Sequence, residues 1–243
     1  MLSAPMSSVV IVLRYFPVTG RAQALRHALT ASGRSFEDLR LPLPEWSVRR
    51  TDPRFAGALR ALPTLTWDDS LVSETLPIAS FLAKRLGHYE GLDDASVALR
   101  EAIVSSTYID VTLRLIEVIR ADAYHPGADP ARSLVVALPR VLQKFELVDA
   151  SVPEATYLGG ERLTMPDFVV AEAFEALRYV LGPDRDARLA ERLPRSASLA
   201  ASLRNRPELT RAWESRPERF TARPDEDVVI GRLRSTDLSP LGF

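Results

Sequence analysis

Cysteine is absent from this 243-residue chain. Its absence excludes disulfides, thiolate metal sites and a protein thiol nucleophile. If thiol chemistry takes place here, the ligand must bring the sulfur. Lysine is almost absent too: Lys84 and Lys144 stand alone, and arginine supplies the rest of the 31 basic residues. With 32 acidic residues the formal net charge is −1, so no global basic field recruits nucleic acid or an anionic membrane. No run of 18 apolar residues occurs, so no membrane-spanning helix is expected. Met1-Leu2-Ser3-Ala4-Pro5-Met6 lacks a basic start and a long apolar stretch, which argues against a signal peptide and for a cytoplasmic protein. His27, His88 and His125 lie far apart and have no metal-ligand spacing, so each is expected to be structural or exposed and no metal is expected. There is no internal repeat and no low-complexity tract.

What is present is ordinary globular material, 46% hydrophobic, enough for a sizeable core in one large domain or two modest ones. Ser8–Leu13 is a β-branched run that predicts a buried central strand. Tyr15–Gly20 is a loop punctuated by Pro17 and Gly20. Arg21–Ser32 carries a helical stripe (Ala24, Leu25, Ala28, Leu29) ended by Gly33. A strand is predicted at Phe36–Leu41, and an irregular stretch with at most one short helix at Pro42–Leu62. Strands follow at Thr64–Trp67 and Leu71–Ser73, then a helix over Thr75–Leu86 stopped by Gly87. Beyond this point strand signals vanish. Helices are predicted at Ala95–Ala121, Pro130–Ala150, Met165–Leu181, Asp186–Asn205 and Pro207–Ser215. The tail Arg216–Phe243 has no clear period and either wraps over the core or frays. These boundaries divide the chain into residues 1–87, a linker 88–94, and an all-helical unit 95–243.

The stretch Ala61–Ile78 is the most informative. Pro63 opens a short strand, so the peptide before it is unpaired in the sheet and the Leu62 backbone is free to bind an extended peptide. Glu74 and Thr75 stand at a helix N-terminus, whose free N–H groups and dipole favour a carboxylate. Together they suit a small peptide with a terminal carboxylate.

Four motifs fall in order. They are Tyr15-Phe16-Pro17-Val18-x-Gly20-Arg21, Leu62-Pro63, Glu74-Thr75 followed by Ile78, and Gly160-x-x-Leu163-Thr164-x-x-Asp167. As a set they resemble the cytosolic glutathione transferases, over roughly Val9–Trp213, and the tyrosine-type classes (pi, sigma, alpha, mu) in particular. The resemblance implies an α+β protein with an N-terminal thioredoxin-like α/β domain followed by an all-α domain. It implies glutathione as co-substrate, and transfer of its thiolate to a small apolar electrophile in cytoplasmic detoxification. A glutathione-dependent isomerase or peroxidase, and a non-catalytic glutathione-fold binding protein, are the rival readings.

The resemblance also assigns roles. Tyr15 activates the thiol, with Thr19 as a substitute hydroxyl. Leu62, ahead of a cis Pro63, pairs with the cysteinyl backbone. Glu74 and Thr75 hold the γ-glutamyl end, with the Thr75 hydroxyl and N–H on its carboxylate. Arg21, Trp46, Arg49 and Arg50 are candidates for the glycine carboxylate, although Arg49 and Arg50 read equally well as a solvated face. Phe16, Val18, Ile116, Arg120 and Tyr124 form the electrophile pocket. Thr164 and Asp167 are structural, a capping box, with Leu163 and Phe168 as a hydrophobic staple. Two positions depart from the family pattern. Ala61 replaces a polar side chain, and Arg114 stands where a neighbouring subunit gives a carboxylate, with Asp110 placed to neutralise it. A homodimer is expected, because Ile103, Tyr108, Val111, Leu115 and Val118 exceed what one helix face needs.

Overall fold

The computed structural model describes residues 9–154 and 157–243. The N-terminal leader reading and Ser8 of the first predicted strand lie outside the described residues. Strand β1 (Ile11–Tyr15) is central and buried, as its β-branched run requires. It pairs in parallel with β2 (Glu37–Arg40), with Tyr15 opposite Arg40. Parallel pairing needs a crossover, and α1 (Gln23–Ala31) supplies it. On its other side β1 pairs antiparallel with β3 (Thr64–Trp67), and β3 with β4 (Ser70–Ser73), giving the order β2-β1-β3-β4. Asp68, with φ 53°, makes the hairpin turn, and its carboxylate accepts from the Val10 N–H at 3.1 Å.

The segment between β2 and β3 is more ordered than its sequence predicts. It holds two short helices, α2 (Leu43–Arg49) and α3 (Pro53–Ala56). Each begins with a proline in its first turn, and the Asp52 side chain caps α3 by accepting from the Arg54 N–H. Prolines that look like breakers in sequence serve here as helix starts. After β4 comes α4 (Thr75–Arg85).

The predicted helix Ala95–Ala121 is three pieces around a wider turn. It comprises α5 (Asp94–Thr107), a π-helical stretch Tyr108–Leu113, α6 (Arg114–Ile119) and α7 (Ala121–Tyr124). The five apolar positions read as surplus are all buried within the chain, so they give no reason for pairing. Then come α8 (Pro130–Ser151) and α9 (Met165–Leu181), close to their predicted bounds. α9 is apolar on nearly every side and forms the centre of the helical part. The single helix predicted at Asp186–Asn205 is two, α10 (Asp186–Arg192) and α11 (Pro194–Arg204). Pro194 lacks the N–H that would continue α10, and the chain turns at Leu193. Pro207–Leu209 is a 3₁₀ turn leading into α12 (Thr210–Glu214).

The tail wraps. It forms α13 (Glu226–Arg234) and buries Phe220, Val229, Ile230, Leu233, Leu238 and Phe243. One apolar core runs from β1, α1 and α4 into α5, α8, α9, α11 and α13. A smaller cluster, Tyr15, Val18, Ala22, Leu41, Trp46, Ala56 and Leu62, lies beside it. Asp167 organises the start of α9. Its carboxylate accepts from the Thr164 N–H (2.8 Å), the Thr164 hydroxyl (2.7 Å) and the Leu158 N–H (2.7 Å). The predicted cap is therefore present, and it also ties down the Leu158 loop. Leu163 and Phe168 pack into the same core.

Candidate active site

Tyr15 ends the buried strand β1, so its side chain is fixed by its position in the sheet. Its ring is 5.4 Å from Phe16, and Phe16 meets Trp46 edge-on at 6.4 Å. The Tyr15 oxygen accepts the Arg21 backbone N–H at 3.2 Å. Burial raises the phenol's pKa, and the Arg21 N–H opposes the rise without cancelling it. The group is therefore a protonated phenol at neutral pH, its oxygen polarised and its own proton left to donate. Beneath the loop lies Arg26, a buried guanidinium that sequence reasoning missed. It donates to the carbonyls of Val18 (2.8 Å) and Phe16 (3.2 Å) and pairs with Asp38 at 3.0 Å. Its charge also sits 5.8 Å from the Tyr15 ring centre. The sequence signal available was its place five residues after the Tyr15–Arg21 motif, on the buried face of α1.

A cleft of about 190 Å³ opens at Tyr15. Phe16, Arg21, Trp46, Arg50, Ala61 and Leu62 line one side, and Ile116 and Arg120 the other. The Leu62–Pro63 bond is cis, as the resemblance implies. Arg60 also lines the cleft, in the left-handed region at φ 51°, and Glu74 has φ 73°. For non-glycine residues such conformations persist where the surroundings impose them, commonly at binding sites. Arg60 went unread in the sequence, although its place beside Ala61-Leu62-Pro63 was the available signal.

The tail supplies a further wall, Phe220, Thr221 and Ala222. It is built in: the Arg219 carbonyl accepts both the N–H (2.9 Å) and the hydroxyl (3.3 Å) of Thr19. That bond removes Thr19 as a substitute hydroxyl. The buried Glu226 carboxylate gathers the N–H groups of Phe220 (2.7 Å) and Thr221 (2.6 Å), the Tyr179 hydroxyl (2.7 Å) and the Thr221 hydroxyl. At Gly20, φ 35°, a Cβ would come within 2.8 Å of the Tyr15 oxygen and 3.0 Å of the Phe220 carbonyl. Only glycine lets tail and Tyr15 loop approach this closely.

Several predicted positions fall elsewhere. Val18 is buried in the cluster under Tyr15 and is not among the residues that line the Tyr15 cleft. Arg49 points outward, paired with Glu45 at 2.9 Å and stacked over Phe55. Tyr124 is exposed and lines a second, larger groove of about 560 Å³ between α6, α7 and α8, which Arg21 and Ile116 also border. Arg114 is paired with Glu117 at 2.6 Å instead of with Asp110, which lies in the π-helical stretch where the 3.6-residue spacing does not hold. The Thr75 hydroxyl is turned inward and donates to the Arg21 carbonyl at 3.1 Å. Glu74 lies 3.7 Å from the Arg21 guanidinium.

The fold is thus a four-stranded thioredoxin-like sheet joined to an all-helical part, with a tyrosine and a cis-proline strand edge at one cleft. Residues 128–216 match the family described as "Glutathione S-transferase, C-terminal domain". "Probable glutathione S-transferase 8" of Caenorhabditis elegans is 25% identical over 212 residues, covering 85% of this chain and 96% of that protein. "Glutathione S-transferase P" of Bos taurus is 26% identical over 206 residues, covering 84% and 91%. Among solved structures, monomeric Na-GST-3 of the hookworm Necator americanus superposes with a TM-score of 0.68 at 24% identity, covering 88% of this chain and all of that one. The chain is thus similar to glutathione S-transferases over most of its length, and the match to their family model lies in its helical part.

Proposed function

We propose that the protein is a glutathione transferase that uses Tyr15 to stabilise the glutathione thiolate for attack on a hydrophobic electrophile. The observation that carries this reading is the convergence of Tyr15, Leu62 ahead of Pro63, and Trp46 on one cleft. The thiol of a free cysteine has a pKa near ~8.5, and lowering it by roughly two units needs about 2.7 kcal/mol. A charge-assisted hydrogen bond from a buried phenol supplies much of that. The thiolate then forms the C–S bond as the leaving group departs with its electron pair, and no protein nucleophile is required.

In this reading Leu62 pairs with the cysteinyl backbone as one more strand at the sheet edge. The first-turn N–H groups of α4 receive the γ-glutamyl carboxylate, and Glu74 its ammonium. Arg50, Arg60 and Trp46 serve the glycine carboxylate. Residues 1–87 form the glutathione-binding domain, 88–94 the linker and 95–243 the helical domain. A cytoplasmic role in detoxification follows from the same family likeness. A homodimer is also proposed, and the exposed apolar side chains Leu99, Ile109 and Val136 on α5, the π-helical stretch and α8 support it. Sedimentation at micromolar concentration tests it, and an active species of ~27 kDa alone contradicts it.

The deciding experiment combines calorimetry with glutathione and turnover of a chloronitrobenzene. Binding with turnover supports the transferase. Binding with no turnover of electrophiles, peroxides or isomerisable substrates points to a binding protein instead.

A further inference from the structure

The Tyr15 cleft is unusually cationic. Four guanidiniums, Arg21, Arg50, Arg60 and Arg120, line it, and no carboxylate does. The charges divide between its two sides. Arg21, Arg50 and Arg60 belong to the half that carries Tyr15, Trp46 and Leu62, and Arg21 already has Glu74 as partner. Arg120 stands opposite, at the end of α6, beside Ile116.

Arg120 has been left free by its neighbours. The two acids closest to it in sequence are both committed. Glu117 pairs with Arg114, and Asp122 receives Arg223 through both oxygens. Among the described residues no carboxylate lies within ion-pair distance of Arg120. Its guanidinium instead stacks over the Tyr124 ring, 5.2 Å from the centre. Stacking fixes the plane of the group and leaves its N–H edge available for a planar anion. The surfaces beside it, Ile116, Phe16 and Phe220, are apolar.

Glutathione with an ionised thiol brings two carboxylates, one thiolate and one ammonium. Its carboxylates fall to the Arg50–Arg60 side and to the α4 N-terminus in the reading proposed above. Arg120 is then a surplus cation on the wall where the second substrate must lie. We infer that the electrophile is an apolar group bearing an anionic substituent (carboxylate, sulfonate or phosphate), which Arg120 binds while the reacting carbon faces Tyr15. The proposal refines the apolar-electrophile reading and rests on the cleft being the glutathione site.

A matched pair of acceptors tests it: 4-chloro-3-nitrobenzoate and its methyl ester, each rate normalised to the uncatalysed reaction with glutathione. The native protein should favour the acid by at least about tenfold in kcat/KM, through KM, with the preference shrinking as salt is added. Arg120→Gln should lower the acid-to-ester ratio by roughly 10–100-fold, the loss of one charged hydrogen-bonded partner. Arg120→Lys should recover part of it, because the charge returns without the fork. An acid-to-ester ratio of one or less in the native protein overturns the proposal and needs no variant. So does a ratio unchanged by Arg120→Gln. If calorimetry finds no glutathione binding, the reading beneath it falls too; if glutathione binds and the ester turns over while the acid is not preferred, only the anionic substrate is refuted.

Discussion

The Thr75 hydroxyl donates to the backbone carbonyl of Arg21 at 3.1 Å, pinning the start of α4 to the loop that follows Tyr15. The side chain expected to touch the ligand directly acts instead between the two parts of the site. Such a neutral bond contributes about 0.5–1.5 kcal/mol. Thr75→Ala should therefore weaken glutathione binding by roughly 2–12-fold, and Thr75→Ser should be close to native. Calorimetry decides: a loss beyond 100-fold would show that the hydroxyl contacts the ligand after all, and no loss would show that the pin is idle.

Tyr15→Phe removes the proposed donor and preserves the packing against Phe16. Turnover should fall by roughly 10–100-fold, about 1.4–2.7 kcal/mol in the barrier. Glutathione affinity should change little, and the pH profile of kcat/KM should move upward because the thiol ionises later. Turnover within twofold of native at pH 6.5 would remove Tyr15 from the chemistry.

Glu226 offers the clearest stability test. Glu226→Ala strands the Phe220 and Thr221 N–H groups in a buried turn, at about 1–3 kcal/mol for each unsatisfied donor. A chain of this size should lose roughly 5–15 °C in Tm. Because these donors hold the cleft wall, KM for the electrophile should rise more than KM for glutathione. Equal changes in both would mean that the wall does not contact the second substrate.

His27 predicts an acid sensitivity. Burial holds its pKa down at about 4, more than the nearby Glu172 raises it. The unfolded chain takes up this proton near pH 6.5, and the folded chain refuses it until about pH 4. Stability should therefore fall as pH drops through that window, by up to roughly 3 kcal/mol for this one group. His88 is held down to about 4 in the same way. Denaturant titrations at pH 6.5, 5.5 and 4.5 should show this slope, and His27→Asn should remove a large share of it. An unchanged slope would place the acid sensitivity in other groups.

The fold and the first-made half of the site were readable because their signals are local. A β-branched run followed by Tyr-Phe-Pro-Val, a Leu-Pro pair and a helix opening at Thr75 each carry their own geometry. Residues whose roles depend on long-range partners were not readable. Arg26 looks like any helix arginine until Phe16 and Val18 fold over it. Thr19 looks like a free hydroxyl until Arg219, two hundred residues later, takes it. Val18 packs into the cluster under Tyr15, and Arg49 turns outward to Glu45 from the end of α2; neither orientation is written in the local sequence. Asp110 missed Arg114 because the π-helical stretch breaks the 3.6-residue count that the pairing assumed. The tail was illegible for the same reason. Its order rests on Glu226 meeting Phe220 and Thr221, a knot with no periodicity.

The bond between Thr19 and the Arg219 carbonyl also fixes an order of events. On the ribosome the Tyr15 loop emerges early, and it waits through some two hundred further residues for the tail segment that walls its cleft. Until residues 219–226 are released, the cleft at Tyr15 and Leu62 lacks the wall of Phe220, Thr221 and Ala222. A chain cut after Ser215 would lose that wall together with Phe220, Val229, Ile230, Leu233, Leu238 and Phe243 of the shared core.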